Sequence, residues 1–381
     1  MGYLLNEDSQ SLVQLAREFC EKEVRPYCAE WDEKGIFPIE TMKKGMELGF
    51  HMMELPEKYG GIGLDPVTTA AISEVFGYYD AGFATGISCS SLAMKPVLLF
   101  GTEEQKKKFA DIVVPGGFAS FALTESEAGS DAAACKTTAV KKGNEYVVNG
   151  TKCFITNGSY ADIFVVFAST DKSKGAGGLS AFIIEKERKG VSVGAHENKM
   201  GIRSSNTSEI IFDEVHIPEE NLIGKECEGF KIAMQTLDMA RPLVGASAVG
   251  LSQRALDEAA AFAKTRICFG KPIANLEAIQ FMLADMAIGT ETARQMVAQA
   301  MRLREKGLPF GYEGAIAKCY AGDVAFKNAG EAVQILGGYG YSKDYPVEKL
   351  LRDSKIYQIY EGTNQIQRVV IAGNILRRTK A

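Results

Sequence analysis

Two short stretches of the chain hold side chains of the types and spacing that chemistry requires. The first is Leu123-Thr124-Glu125-Ser126-Glu127-Ala128-Gly129-Ser130-Asp131, crowded with hydroxyls and small residues. A loop of that composition can turn several backbone N–H groups toward the anionic or carbonyl oxygens of a ligand. A plain surface loop has the same composition. The second is Tyr360-Glu361-Gly362-Thr363, which sets a carboxylate at a turn just ahead of a helix, between an aromatic and a glycine. Glu361 there is either a solvated helix-start residue or a base in an apolar cleft, its pKa raised by desolvation.

The elements that must position these stretches follow from hydrophobic periodicity. Residues 1–115 read as helical: Leu12, Leu15, Ala16, Phe19 and Val24 recur at helical spacing until Pro26 stops the run. Glu54 to Gly61 is a turn, a helix follows over about Val67–Tyr79, and Thr102 with Gln105 three residues on has the form of a capping box. Over 116–225 the period changes to that of a β-domain. Val147-Val148, Cys153–Thr156, Ile163–Ala168, Leu179–Ile184 and Glu209–Phe212 are strands, Lys172–Gly178 is a flexible loop, and Asn149-Gly150 and Asn157-Gly158 are turns, the first a hairpin signal. From 226 to 381 the chain is helical again, with four or five long helices; Leu251–Lys264 and Gln280–Lys306 are the clearest, Gly337–Tyr341 breaks the array, and the last helix starts near Thr363. The fold class is α+β, helical layers around a small sheet.

Composition excludes several function classes. The 381 residues are 46% hydrophobic and 24% charged, with a net charge of −5, and no basic stripe of the kind nucleic acid demands. The eight cysteines form no C-x-x-C pair and the three histidines lie far apart, so metal-ligand spacing is absent and reduced thiols in a cytoplasmic compartment are expected. The start turns polar at once, without the pattern of a signal peptide, and no run of 18 apolar residues suggests a membrane span. Phosphate-loop, Rossmann and nucleophile-elbow motifs are missing.

The two stretches also carry a resemblance. Loop 124–131 resembles the T-E-P-x-A-G-S-D signature of the acyl-CoA dehydrogenases, and turn 54–61 resembles their L-P-E-x-Y-G-G. Gln334–Gly338, Tyr345–Leu350 and Leu351–Thr363 look like the medium- and short-chain branch, as do Arg241-Pro242 and Arg266–Lys271. The likeness spans essentially the whole chain. It implies an all-α amino-terminal domain, a middle β-domain and a four-helix carboxyl-terminal domain, with FAD, a homotetramer, and an electron-transferring flavoprotein as redox partner in fatty-acid β-oxidation. It implies that Phe121, Leu123, Thr124, Gly129 and Ser130 line the flavin, that Ser130 also meets the coenzyme A arm, and that Phe154 and Thr156 cover the other flavin side. Arg266, Phe269, Gln334 and Gly338 would serve a neighbouring subunit's FAD, Arg266 by forking onto phosphate oxygens. Thr363 and Gln365 would touch the cofactor near a helix start. Asp238 and Arg241 would bind coenzyme A, Tyr360 and Gly362 would flank the substrate, and Glu361 would take the α-proton.

Three departures qualify the resemblance. Some relatives place the base just before the arginine at 241; here that residue is Ala240, which strengthens Glu361. Ser126 stands where proline is usual, and Phe154 where tryptophan is usual, as in butyryl-type enzymes of anaerobes that work with bifurcating flavoproteins. That suggests a second direction, enoyl-CoA reduction. Phe83–Ser91 resembles the segment lining the acyl pocket and holds no arginine or carboxylate, so an uncharged, short to medium, branched or cyclic acyl chain is expected. Flavin monooxygenases share the fold but lack the glutamate of Y-E-G-T, and a non-catalytic helical interaction protein would need no such loop and base.

Overall fold

The computed structural model describes residues 3–378. Six helices come first: α1 (Glu7–Glu23), α2 (Cys28–Lys34), α3 (Ile39–Glu47), α4 (Pro66–Tyr79), α5 (Ala81–Phe100) and α6 (Glu103–Val113). Their starts are chemically marked. Asn6, Asp65 and Asp80 accept from backbone N–H groups at the heads of α1, α4 and α5, Pro66 occupies the first turn of α4, and Thr102 with Gln105 makes the expected capping box on α6. Helix α5 is long and apolar enough to cross a membrane by length and composition, although its apolar residues do not form an unbroken run. Most of that span is packed against protein, so it is a core helix.

The middle of the chain forms β1 (Phe118–Ala122), β2 (Thr138–Lys142), β3 (Glu145–Thr156), β4 (Ala161–Ser169), β5 (Leu179–Glu185), β6 (Val191–His196), β7 (Thr207–Pro218) and β8 (Leu222–Ile223). They build one sheet in the order β6-β7-β3-β2-β4-β5-β8, with β1 pairing parallel to β4. The expected hairpin at Asn149-Gly150 is absent. Strand β3 runs straight through that dipeptide, which is a bulge where the register with β7 slips between Val148 and Gly150. A Cβ at Gly150 would lie 2.3 Å from the Thr137 hydroxyl, so the glycine answers a close approach instead of a chain reversal. The reversal into β3 is made at Gly143, φ 64°. Asn157, φ 58°, does turn the chain between β3 and β4.

Five helices follow: α7 (Gly229–Thr265), α8 (Glu277–Glu305), α9 (Gly311–Leu336), α10 (Val347–Ser354) and α11 (Asn364–Arg378). Helices α7, α8 and α9 pack on one another, α11 lies along α9, and α10 is a short addition. Helix α7 also crosses α4 at backbone contact distance. Cβ atoms at Gly77 and Gly250 would fall 2.0 Å from the carbonyl oxygens of Ser247 and Glu74.

A buried ionic knot ties the three regions together. Asp80 caps α5 through the Phe83 N–H (2.6 Å), and accepts from the Ser204 hydroxyl of the β-domain (2.7 Å) and from Lys349 of α10 (2.7 Å). Lys349 also donates to Asp353 (2.5 Å), which receives the Ile202 N–H. Replacing one member of a buried ion pair strands the other charge. Asp80→Ala is therefore expected to lower the unfolding free energy by about 3–5 kcal/mol, read as a drop in denaturant midpoint; a loss under about 1 kcal/mol, the scale of a surface pair, would show that the knot is not structural.

Candidate active site

Glu361 and Gly362 are two successive left-handed residues, φ 56° and φ 87°. For a glutamate that conformation is sparsely populated and costs on the order of 1–3 kcal/mol, so something must hold it. Lys318 of α9 donates to the Gly362 carbonyl (2.7 Å) and to Asn364 Oδ1 (3.1 Å). Gln367, one turn into α11, donates from Nε2 to the Gly362 carbonyl (2.9 Å) and the Glu361 carbonyl (3.2 Å). The Thr363 hydroxyl caps α11 by accepting the Ile366 N–H. Clamped this way, the turn aims the Glu361 side chain inward.

It points into a cavity of about 800 Å³, mouth included, between α4, α5 and α7. Helix α5 contributes Thr85, Ser88, Cys89, Ser91, Leu92 and Lys95; α7 contributes Ala240, Leu243, Val244 and Ser247; α4 contributes Thr69 and Ser73. Phe50, Met53, Thr156 and Tyr360 complete the wall. Several of the hydroxyls are turned back onto their own helices: Thr69, Ser73, Thr85 and Ser88 each donate to a carbonyl four residues earlier. The exposed lining is thus largely apolar. Glu361 Oε2 is buried and has no hydrogen-bond partner. Burial pushes its carboxyl above the ordinary range, with the charges of Lys318, Arg241 and Lys95 working against the rise. Burial likewise brings the Lys318 ammonium down to about 8, with the Glu361 charge opposing the fall.

The hydroxyl-rich loop lies beside β3, where the Cys153 N–H donates to the Thr124 carbonyl (3.0 Å). It is anchored from within. Glu125 is buried, and receives Lys152 Nζ (2.7 Å), the Lys136 and Thr137 N–H groups (2.7 and 3.0 Å) and the Cys135 thiol (3.0 Å). Burial alone would raise its pKa, but the Lys152 charge and these donors hold it at about 2. Lys152, with no exposed side-chain surface, also bonds the Leu123 carbonyl (3.0 Å).

The candidate residues separate into three places. Thr156, Tyr360 and Glu361 line the one cavity, with Arg241 and Gly362 at its side, where Arg241 pairs with Asp238. Phe121, Leu123, Thr124, Gly129 and Ser130 follow one another from the end of β1 into the anchored loop, with Phe154 left-handed (φ 56°) and 59% exposed on β3. Arg266, Phe269, Gln334, Gly338 and Gln365 are exposed and line no part of the cavity; Arg266 stacks on Tyr339, next to Gly338.

Four residues escaped the sequence reading: Lys152, Lys318, Lys95 and Glu54. For Lys95 there was a signal, since it is the only charged residue in the twenty of α5. Lys318 falls in step with the buried alanines and glycines of α9, where a lysine is out of place. The burial of Lys152 and Glu54 depends on partners 27 and 41 residues away, which no local pattern marks.

Three family profiles match the chain in order: the acyl-CoA dehydrogenase N-terminal domain over residues 6–116, the middle domain over 120–215 and the C-terminal domain over 227–376. The chain belongs to the acyl-CoA dehydrogenase family, whose members are FAD-dependent oxidoreductases. It is similar to butyryl-CoA dehydrogenase of Megasphaera elsdenii, with 45% identity, TM-score 0.96, and 99% of this chain and all of that one covered. It is equally similar to a solved chain from work on the electron-transferring flavoprotein of Acidaminococcus fermentans and flavin-based electron bifurcation, with 47% identity, TM-score 0.96 and the same coverage. Among curated proteins it is 44% identical to the acryloyl-CoA reductase (NADH) of Anaerotignum propionicum over 99% of this chain and 97% of that one. The residues present fit a flavin. The 124–131 loop is fastened on its inner side and open on the other, where Gly129 has nothing within 4 Å of a would-be Cβ, and the unpartnered Glu361 oxygen waits in the neighbouring cavity.

Lys152→Met leaves Glu125 a buried carboxylate without its cation. The expected result is a loss of about 3–5 kcal/mol in stability and protein purified with little flavin, scored by the ratio of flavin to protein absorbance. A second expectation follows from the raised Glu361 pKa. Between the unfolded carboxyl's pKa and the higher folded one, the native chain binds more protons, so its stability falls as pH rises through that window. Glu361→Gln is spared this loss. Its denaturant midpoint should exceed the wild type's at about pH 8 and match it at about pH 4.

Proposed function

We propose that this chain introduces the α,β double bond of a short- to medium-chain acyl-CoA thioester, with Glu361 as the base that removes the α-proton. The observation that carries the reading is the buried, unpartnered Glu361 oxygen inside an apolar cavity. A carboxylate stripped of water and of hydrogen-bond donors is a stronger base than one in solvent, which is what a weakly acidic C–H demands. The left-handed turn also leaves the Glu361 N–H without a protein acceptor among the described residues. That N–H is suited to polarise the thioester carbonyl as the proton leaves. The chemistry FAD supplies when bound is acceptance of the β-hydrogen as hydride. Ala240 faces the same cavity and cannot compete as base.

Other roles fall to the residues grouped above. Thr124 and its neighbours, held by Glu125 and Lys152, bond the flavin edge, and Phe154 and Thr156 cover it. Arg241, buried and paired with Asp238, orients the coenzyme A arm. Thr363 and Gln365, at the head of α11, lie where N–H groups favour phosphate. Arg266, Phe269, Gln334 and Gly338 meet a neighbouring subunit's cofactor in a homotetramer; Phe269 at 91% exposure and Tyr341 at 89% support such a contact. The redox partner is an electron-transferring flavoprotein, and eight free cysteines suit the reducing cytoplasm. A second reading, enoyl-CoA reduction with a bifurcating flavoprotein, is favoured by Phe154 and by the similarity to the acryloyl-CoA reductase.

Glu361→Gln should retain FAD and lose about 10²–10⁴-fold in the rate at which acyl-CoA bleaches the flavin anaerobically. Near-normal bleaching in that variant would remove Glu361 from the mechanism. NADH-linked turnover of an enoyl-CoA in the presence of the flavoprotein partner tests the reductase direction, and its absence counts against it.

A further inference from the structure

Lys95 of α5 borders the cavity with a side chain only 3% exposed. Its ammonium donates to Glu54 Oε2 (2.7 Å) and Ser91 Oγ (3.3 Å), which occupies two of its three N–H bonds. Glu54, 9% exposed, lies 2.6 Å from Nη1 of Arg304, which is 12% exposed at the end of α8. Two cations and one anion leave this cluster with an excess of one positive charge. The Glu54–Arg304 ion pair is not an aligned hydrogen bond, since Glu54 Oε1 and Arg304 Nη1 are both without a hydrogen-bond partner. An uncompensated charge shielded from water is costly unless a counter-ion arrives.

Glu361 is not that counter-ion in the first place. Its own compensation comes chiefly from Lys318 and Arg241, with Lys95 ranking behind them. The cation's position along the cavity gives it another use. Thr85, Ser88, Leu92 and Lys95 recur on one face of α5, and Thr85 contacts Tyr360 at the base. The Lys95 backbone is ten residues farther on, but its ammonium folds back to Ser91, six residues and about 9 Å along the axis beyond Thr85 at the helical rise. An acyl chain with its thioester at Glu361 therefore extends along α5 toward the Lys95 ammonium. Burial lowers the Lys95 pKa, Glu54 opposes that fall, and an arriving anion would add to the opposition.

We infer that the cavity selects acyl-CoA thioesters whose chain ends in a carboxylate, received by Lys95 with Arg304 behind it. The inference rests on the reading of Glu361 as the base, because that fixes the thioester at the Tyr360 end. It revises the expectation of an uncharged chain, which considered only residues 83–91.

The test uses the FAD-loaded enzyme and two matched pairs of thioesters, pentanoyl- against glutaryl-CoA and hexanoyl- against adipyl-CoA. Binding is read from the perturbation of the flavin spectrum or from the rise in melting temperature, and bleaching is read separately. The wild type should bind the carboxylated member of at least one pair about tenfold or more tighter, and Lys95→Met should cut that preference by about ten- to a hundredfold. The variant leaves Glu54 paired with Arg304 alone; Lys95→Arg, which retains the cation, should keep the preference and serves as the readout should Lys95→Met fail to fold. Equal or tighter binding of the alkyl members by the wild type, or a preference unchanged in Lys95→Met, overturns the inference. Failure of every thioester to bleach the flavin would instead indict Glu361, while the binding ratios still decide on Lys95.

Discussion

The site depends on keeping a carboxylate dry while a strained turn holds it in place. Glu361 and Gly362 are both left-handed, and the first is not a glycine. That geometry persists because Lys318 and Gln367 converge on the two carbonyls of the turn from α9 and α11. Gln367 is only a turn away in sequence, but Lys318 comes from 44 residues upstream, so the packing of α9 against the turn is needed before the carboxylate is held facing the cavity. The bundle acts here as the mould for one peptide turn.

The same logic applies on the other side of the cavity. Loop 124–131 has few apolar side chains with which to bury itself, and it is fixed by a single buried carboxylate, Glu125. Lys152 reaches it from β3, the strand that also carries Phe154 and Thr156. One lysine therefore couples the two stretches proposed to enclose the cofactor. The Asp80–Lys349–Asp353 knot plays the corresponding part between domains, setting α5 against the β-domain and α10. Each of these polar clusters lies in an interior where partial satisfaction would be worse than an apolar core.

What could be read from the sequence was what local chemistry encodes. The capping box at Thr102, the run ended by Pro26, the turn at Asn157 and the helix start near Thr363 all concern residues within a few positions of one another. Glu361 itself was legible because its flanking residues carry a family resemblance. Asn149-Gly150 misled because the dipeptide that permits a hairpin also permits a bulge, and pairing with β7 and the proximity of Thr137 decide between them. Strands β1, β2, β6 and β8 and the small pair of 267–268 with 271–272 were not legible: β1 is nearly buried throughout, β2 and β6 are short and largely exposed, the others are two residues long, and none shows the clean alternation that marks a half-buried strand. The buried lysines were invisible for a different reason, since a lysine's burial is a property of the partner it finds.

The crossing of α4 over α7 has a consequence for how this cavity can vary. At Gly77 and Gly250 the two helices meet backbone to backbone, with no room for a methyl group between them. Their separation is thus set by main-chain van der Waals radii and is indifferent to the identity of lining side chains. Enlarging or trimming Thr69, Ser73, Leu243 or Val244 alters texture and depth, but the gauge between those walls stays constant. Longer or bulkier acyl groups have to find their space lengthwise, making this an anisotropic compartment whose calibre is a backbone trait and whose reach is a side-chain one.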